Sequence, residues 1–173
     1  LFTRENPVRV LRRIEPAMVM AFVTGSSAAT LPVSLRTASE RLHVRSELAG
    51  FSLPLGATIN MDGVCVHLPM FAVLAANLFG LDLGGGELLV LVITTVLASI
   101  GAGGVPGGSL MLLFIILANM GLGGEQVAVV VALALGINPI LDMFETMNNV
   151  TGDLVCTYAV AHNEGLIDPG ETA

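Results

Sequence analysis

Every Lys or Arg in this chain lies before position 46. All seven are Arg, in two groups: Arg4, Arg9, Arg12 and Arg13 ahead of the first apolar segment, and Arg36, Arg41 and Arg45 behind it. The remainder is dominated by Leu, Val, Ile, Ala and Gly, with 54% of residues apolar overall. A globular domain this poor in charge would be hard to keep in water, whereas membrane helices tolerate both the composition and the glycine. The expected fold class is an all-α membrane protein. The net negative charge offers no basic patch and no aromatic platform for nucleic acid.

The Arg groups set the topology, because basic residues favour the cytoplasmic side. The segment 14–35 between them must enter the membrane and return on the same side, and TGSSAATLP supplies the turn. This predicts a first re-entrant hairpin. Residues 87–120 repeat the pattern from the opposite side: GAGGVPGG splits them into arms of about 18–20 Å, too short for a ~30 Å hydrocarbon core. A second re-entrant hairpin follows, its tip covered by protein because bare backbone cannot face lipid. Residues 49–81 read as a transmembrane helix broken at NMDG, and residues 125–162 as a second broken helix. Hairpin and broken helix occurring twice with opposite entry form an inverted repeat, an architecture of secondary transporters with a midplane site. LDLGGGE fits an extracellular turn, and the end NEGLIDPGETA reads as polar and flexible.

The last apolar segment carries Asp142, Glu145, Thr146, Asn149 and Asp153, which at about 100° per residue share one face of a helix. Anionic oxygens in an apolar helix are costly, about 2.5–3.5 kcal/mol each on insertion scales, and mark an ion or substrate pathway. With no later Lys or Arg, the missing counter-charge points to a bound cation. The break at Asn60 and Asp62 would add backbone carbonyls and two oxygen-bearing side chains, a set that suits a hard cation. Burial predictions follow: both tips, the break and the acidic face converge on one small cavity, with Leu88 to Leu97 and Leu110 to Leu117 packed around it.

In order, TGSSAATLP, LPLGATINMDG, LASIGAGGVPGGSLMLL and ILDMFETMNNVTGD resemble the carboxy-terminal transport core of the dicarboxylate/amino acid:cation (sodium) symporters, the glutamate/aspartate transporter family. The resemblance runs nearly end to end. It implies two hairpins and the seventh and eighth helices, with scaffold helices one to six missing from this stretch, and a multi-pass protein of the cell (inner) membrane that forms a homotrimer through that scaffold. Sodium is the implied coupling ion. One site would use the backbones of Gly56 and Asn60 with Asn149 and Asp153. A second would use backbone around Thr58 and the carbonyls of Ser99, Ile100 and Ala102. A third, on Asn60 and Asp62, would need ligands from an absent helix. The implied substrate is a small amino acid between the tips, near Ser26 and Ser27. Ser27 and Asn149 would hold its carboxylate and Asp142 its amino group, with Val64, Glu145 and Thr146 lining the pocket. Val105 and Gly107 would form a lid that gates from outside, and the core would move like an elevator.

Departures from the family bear on the substrate. Acidic-amino-acid members carry Arg where this chain has Glu145, and Thr where it has Val64. Both contacts to a side-chain carboxylate are gone, and like charges in a partly desolvated site cost several kcal/mol. The sequence therefore favours a neutral side chain such as Ser, Thr or Ala. The alternatives are a cationic amino acid paired with Glu145, or a dicarboxylate with proton coupling at a protonated Glu145. A channel-like protein is the other class, since re-entrant segments also build selectivity filters. A piece lacking its scaffold would transport nothing by itself. Structural readings cover the rest: Asn77, Asn119 and Asn138 as interhelical glue, Cys65 and Cys156 as small buried side chains, His67 and His162 as imidazoles satisfied by a neighbour. No partner His stands near Ser26 and Ser27 for hydrolase chemistry, so an enzyme is not expected.

Overall fold

The computed structural model describes residue 3 and residues 5–168. Arg4 of the first basic group and residues 169–173 of the polar end lie outside the described residues.

Seven helices follow one another. Helix α1 (Pro7–Thr24) starts where the Asn6 side chain accepts from Val8 N at 2.9 Å, with Pro7 at the first helical position, and ends at Gly25 in the left-handed region. One residue later the chain turns back, and Ser26 caps α2 (Ser27–Glu40), which packs along α1. Helix α3 (Ser46–Ile59) is separated from α4 (Asp62–Phe79) by Asn60 and Met61 alone. The expected NMDG break is therefore present, and it is only two residues wide. Helices α5 (Gly85–Ser99) and α6 (Leu110–Asn119) flank a ten-residue tip, in which Gly103 and Gly107 take positive φ.

Helix α7 (Gly124–Asn163) corrects the expectation of a second broken helix: its 40 residues run without interruption, about 60 Å of helix. Pro139 removes one backbone donor, yet helices in apolar surroundings accept this where neighbours cover the freed carbonyl. Continuity lets α7 serve as the spine of two apolar clusters. Its first half packs with α4, α5 and α6 around Leu68, Phe71, Leu113, Leu117 and Val130. Its second half packs with α1, α2 and α3 around Ile14, Leu42, Leu53, Val150 and Leu154. The polar row of α7 falls at the junction between the clusters.

Several packing expectations are corrected. Leu88 to Leu97 do not surround a cavity: only Leu91 among these apolar residues is buried, with Thr95 and Ser99 continuing its stripe, while Leu89, Val92, Ile93 and Leu97 face outward. In α6 the inward residues are Leu113, Ile116 and Leu117. A short helix between α4 and α6 buries one stripe and leaves the other apolar face for lipid or a further segment. Asn77 and Asn119 are exposed and Asn138 Oδ1 has no partner, so none of the three joins helices by a described hydrogen bond. Cys156 is exposed and Cys65 half-buried, both free thiols. Nor is the chain end loose as far as it is described, because Arg45 N donates to Leu166 O at 3.0 Å and Asp168 N to His43 O at 2.9 Å.

Candidate functional site

The tip between α1 and α2 is built from short-range polar bonds. Ser26 is extended, its hydroxyl accepts from Ala29 N at 3.2 Å, and Thr30 Oγ1 donates back to Ser26 O at 2.8 Å. Ser26, Ser27 and Thr30 are all buried. Residual donors at the start of a helix seek an acceptor. Here the acceptor comes from the other tip: Gly104 O receives Ala28 N at 3.1 Å and Ser26 Oγ at 2.8 Å. Glycine is required at 104, since an added Cβ would lie 2.5 Å from Ala57 O and 3.3 Å from Ser27 Cβ.

Three residues on, the left-handed turn at Gly107 (φ 72°) aims its N–H at Asp142 Oδ2, 3.1 Å away. Gly25 of the first tip lies against the same carboxylate, where an added Cβ would come within 3.2 Å of Oδ2. Both tips therefore meet at Asp142.

Along α7, Glu145 Oε2 accepts from Ser109 Oγ at 2.9 Å and is bonded to His67 Nδ1 of α4. Thr146 and Asn149 are buried beside it, and Asn149 Oδ1 accepts Gly63 N at 2.6 Å, binding α7 to the first turn of α4. One turn further, Asn60 Nδ2 donates to Asp153 Oδ1 at 2.8 Å. Gly56 and Gly152 make the close approach possible: an added Cβ would meet the Asp153 carboxylate at the first and the Asp62 carboxylate at the second. The result is a set of amide, carboxylate and backbone oxygens in a cradle that side chains would fill, and no Lys or Arg approaches it among the described residues. Hard oxygen donors of this kind fit a cation such as sodium.

Other expected site residues are placed differently. Val64 is fully buried, and Ser99 is buried with its hydroxyl turned to Val96 O at 2.8 Å. Ala102 is buried, while Ile100 and Val105 are exposed on the second tip. Thr58 is exposed and bonds back to Leu55 O at 2.7 Å, and Asp62 is exposed next to Asn60 and Gly152. His67 and Ser109 were not foreseen as site residues. His67 lies one turn past the break on the face of α4 that meets α7, which is the signal that could have found it.

Paired helical tips closing on a row of buried acids, with apolar helix faces turned outward, place a polar site inside an apolar helical fold. A family model described as the sodium:dicarboxylate symporter family matches residues 1–163. Excitatory amino acid transporter 3 of Mus musculus is 42% identical over 160 residues, covering 92% of this chain and 30% of the relative. Excitatory amino acid transporter 5 of Mus musculus is 36% identical over 94% of the chain and 28% of its own length, and excitatory amino acid transporter 2 of Homo sapiens is 38% identical over 92% and 27%. The chain belongs to the sodium:dicarboxylate symporter family. It spans less than a third of the length of these relatives.

Proposed function

We propose that the full-length protein is a multi-pass membrane symporter that couples sodium to uptake of a small amino acid with an uncharged side chain. The observation that carries this reading is the pair of contacts made by the second tip. Its Gly104 carbonyl, an acceptor, takes the donors at the start of α2, and its Gly107 N–H, a donor, takes the Asp142 carboxylate. Those partners are what the carboxylate and ammonium of an amino acid require: N–H and hydroxyl groups at a helix start for the anion, an acid for the cation. A zwitterion entering the site would displace both contacts. The second tip is then the gate, and α1–α2 and α5–α6 are re-entrant hairpins of an inverted repeat.

Sodium would be held by Asn60, Asn149, Asp153 and the backbone at Gly56, and the cradle around Asp153 supports this assignment. The family's description, which names sodium, is consistent with it. Backbone oxygens at Ser99, Ile100 and Ala102 would form a second site when the tip closes over substrate. The exposed faces of α5 and α7 suit lipid and a scaffold through which the protein trimerises, with the core moving as an elevator in a cell (inner) membrane.

Glu145 favours an uncharged substrate over an acidic one. Its carboxylate stands a turn from Asp142, and the donors that reach it are already engaged. The test is uptake by liposomes holding the full-length protein under an inward sodium gradient. Concentrative, saturable uptake of Ser or Ala, with Asp and Arg excluded, supports the reading. Downhill flux alone would indicate a channel, and preferential uptake of Asp would overturn the substrate assignment.

A further inference from the structure

Glu145 is the acid of the α7 row that meets a base. His67 Nδ1 is bonded to its Oε2, and Ser109 Oγ, at the start of α6, donates to the same oxygen at 2.9 Å. The imidazole is 4% exposed and the glutamate 7%, with the ring packed against Phe71 at 5.1 Å between centroids. His67 Nε2 is buried with no partner. Glu145 is thus the ring's one hydrogen-bond partner among the described residues.

Charge balance decides what the pair carries. A buried carboxylate is expensive unless it is paired, and Asp142 adds a second negative charge within reach of both groups. Of the helices packed on α4, α5 has a single titratable group, Glu87 in its first turn, and α6 has none; α4 itself adds Asp62 and Cys65. Helices α1, α2 and α3, packed on α7, carry Arg9, Arg12, Arg13, Glu15, Arg36, Glu40 and Glu47, and among the described residues none of these bonds to His67 or Glu145. One proton held between His67 and Glu145 removes the net charge.

Resting on the amino-acid reading above, we propose that His67 determines charge specificity, keeping Glu145 in a proton-carrying neutral pair so that the site selects uncharged side chains. A cationic side chain would have to take Glu145 from His67 and strand an imidazolium. An acidic one would face a carboxylate whose donors are engaged. An uncharged side chain disturbs neither.

The experiment is sodium-dependent binding of Ser, Ala, Asp and Arg to the full-length protein in detergent at one fixed pH. The readout is the affinity ratio of Arg to Ser. In the wild type the ratio is low. In His67→Gln, which retains a hydrogen-bonding group without the charge, it is raised about tenfold or more, the scale expected of an unpaired charge in a binding site. In His67→Gln/Glu145→Gln it returns to a low value. An unchanged ratio in His67→Gln, or a double variant that still prefers Arg, overturns the inference while leaving the symporter reading intact. Should His67→Gln not fold, an unchanged ratio in His67→Asn has the same force. A wild type that binds none of the four in sodium defeats the symporter reading, and this inference with it.

Discussion

The two tips that meet over Asp142 differ in where their hydrogen bonds go. The α1–α2 tip is two residues long and is braced mainly from within: Gly25 and Ser26 close the turn, Thr24, Ser26 and Thr30 bond to one another, and its one outside acceptor among the described residues is Gly104 O, which takes Ala28 N and Ser26 Oγ. The α5–α6 tip is ten residues long and owes its position to contacts with other elements. Gly104 O is bonded to Ser26 and Ala28, Gly107 N to Asp142, and Ser109 Oγ to Glu145. Ile100 and Val105 at its crest are exposed. A tip held by its own side chains stays put when a ligand arrives, whereas one held by three external groups is released by anything that competes for them. On the proposed reading the first tip is the fixed jaw and the second the movable one, drawn from the more and less self-stabilised ends of the structure.

The strongest way to break this asymmetry is Gly104→Val. Its first side-chain carbon would be driven against Ala57 O and Ser27, so the second tip should be forced off the first at a cost of about 1–3 kcal/mol. Amino-acid binding in sodium should fall by about ten- to a hundredfold, measured by titration calorimetry, with little change in thermal unfolding because, of the second tip, only Ala102 belongs to an apolar cluster. Gly101→Val is the control, since its Cβ would meet only Ala98 O at 3.4 Å. Equal damage from both would mean that the tip tolerates no side chain anywhere and that docking at 104 is not special.

Next in size is Gly107→Ala. At φ 72° an L side chain costs about 1–2 kcal/mol, and relaxing the turn moves its N–H away from Asp142. Hydrogen exchange at residues 100–109 should quicken while α1 and α2 keep their protection. If protection is lost in both hairpins together, the tips act as one unit and the contrast drawn above is wrong.

The parts of this arrangement written in local chemistry could be read from the sequence. Asn, Asp and Gly at 60–63 announce a helix break, Gly and Pro at 101–108 a turn, and the spacing of Asp142, Glu145, Asn149 and Asp153 a single helical face. What escaped depends on partners distant in the chain. Periodicity along α7 says nothing of His67, 78 positions earlier, which supplies the base that a count of Lys and Arg had declared missing. Nor does it reveal that α7 passes through Asn138 and Pro139 without a break, an outcome set by packing against both clusters. The outward face of α5 was misjudged because uniform apolarity cannot tell a helix's buried stripe from the face turned to lipid.

The smallest effects should come from single hydroxyls, and two of them divide the jaws. Ser26→Ala removes the cap of α2 and the bond to Gly104 O together, about 1–2 kcal/mol, whereas Thr30→Val removes two bonds inside the first tip, about 0.5–1.5 kcal/mol each. Because the Thr30 bonds never leave the first tip, their loss should lower thermal stability and leave amide exchange at 100–109 unchanged. Ser26→Ala should do both, loosening the second tip while costing stability in the first. Faster exchange at 100–109 in Thr30→Val would show that strain passes from the fixed jaw to the movable one, and the first tip would then belong to the gate instead of serving as its seat.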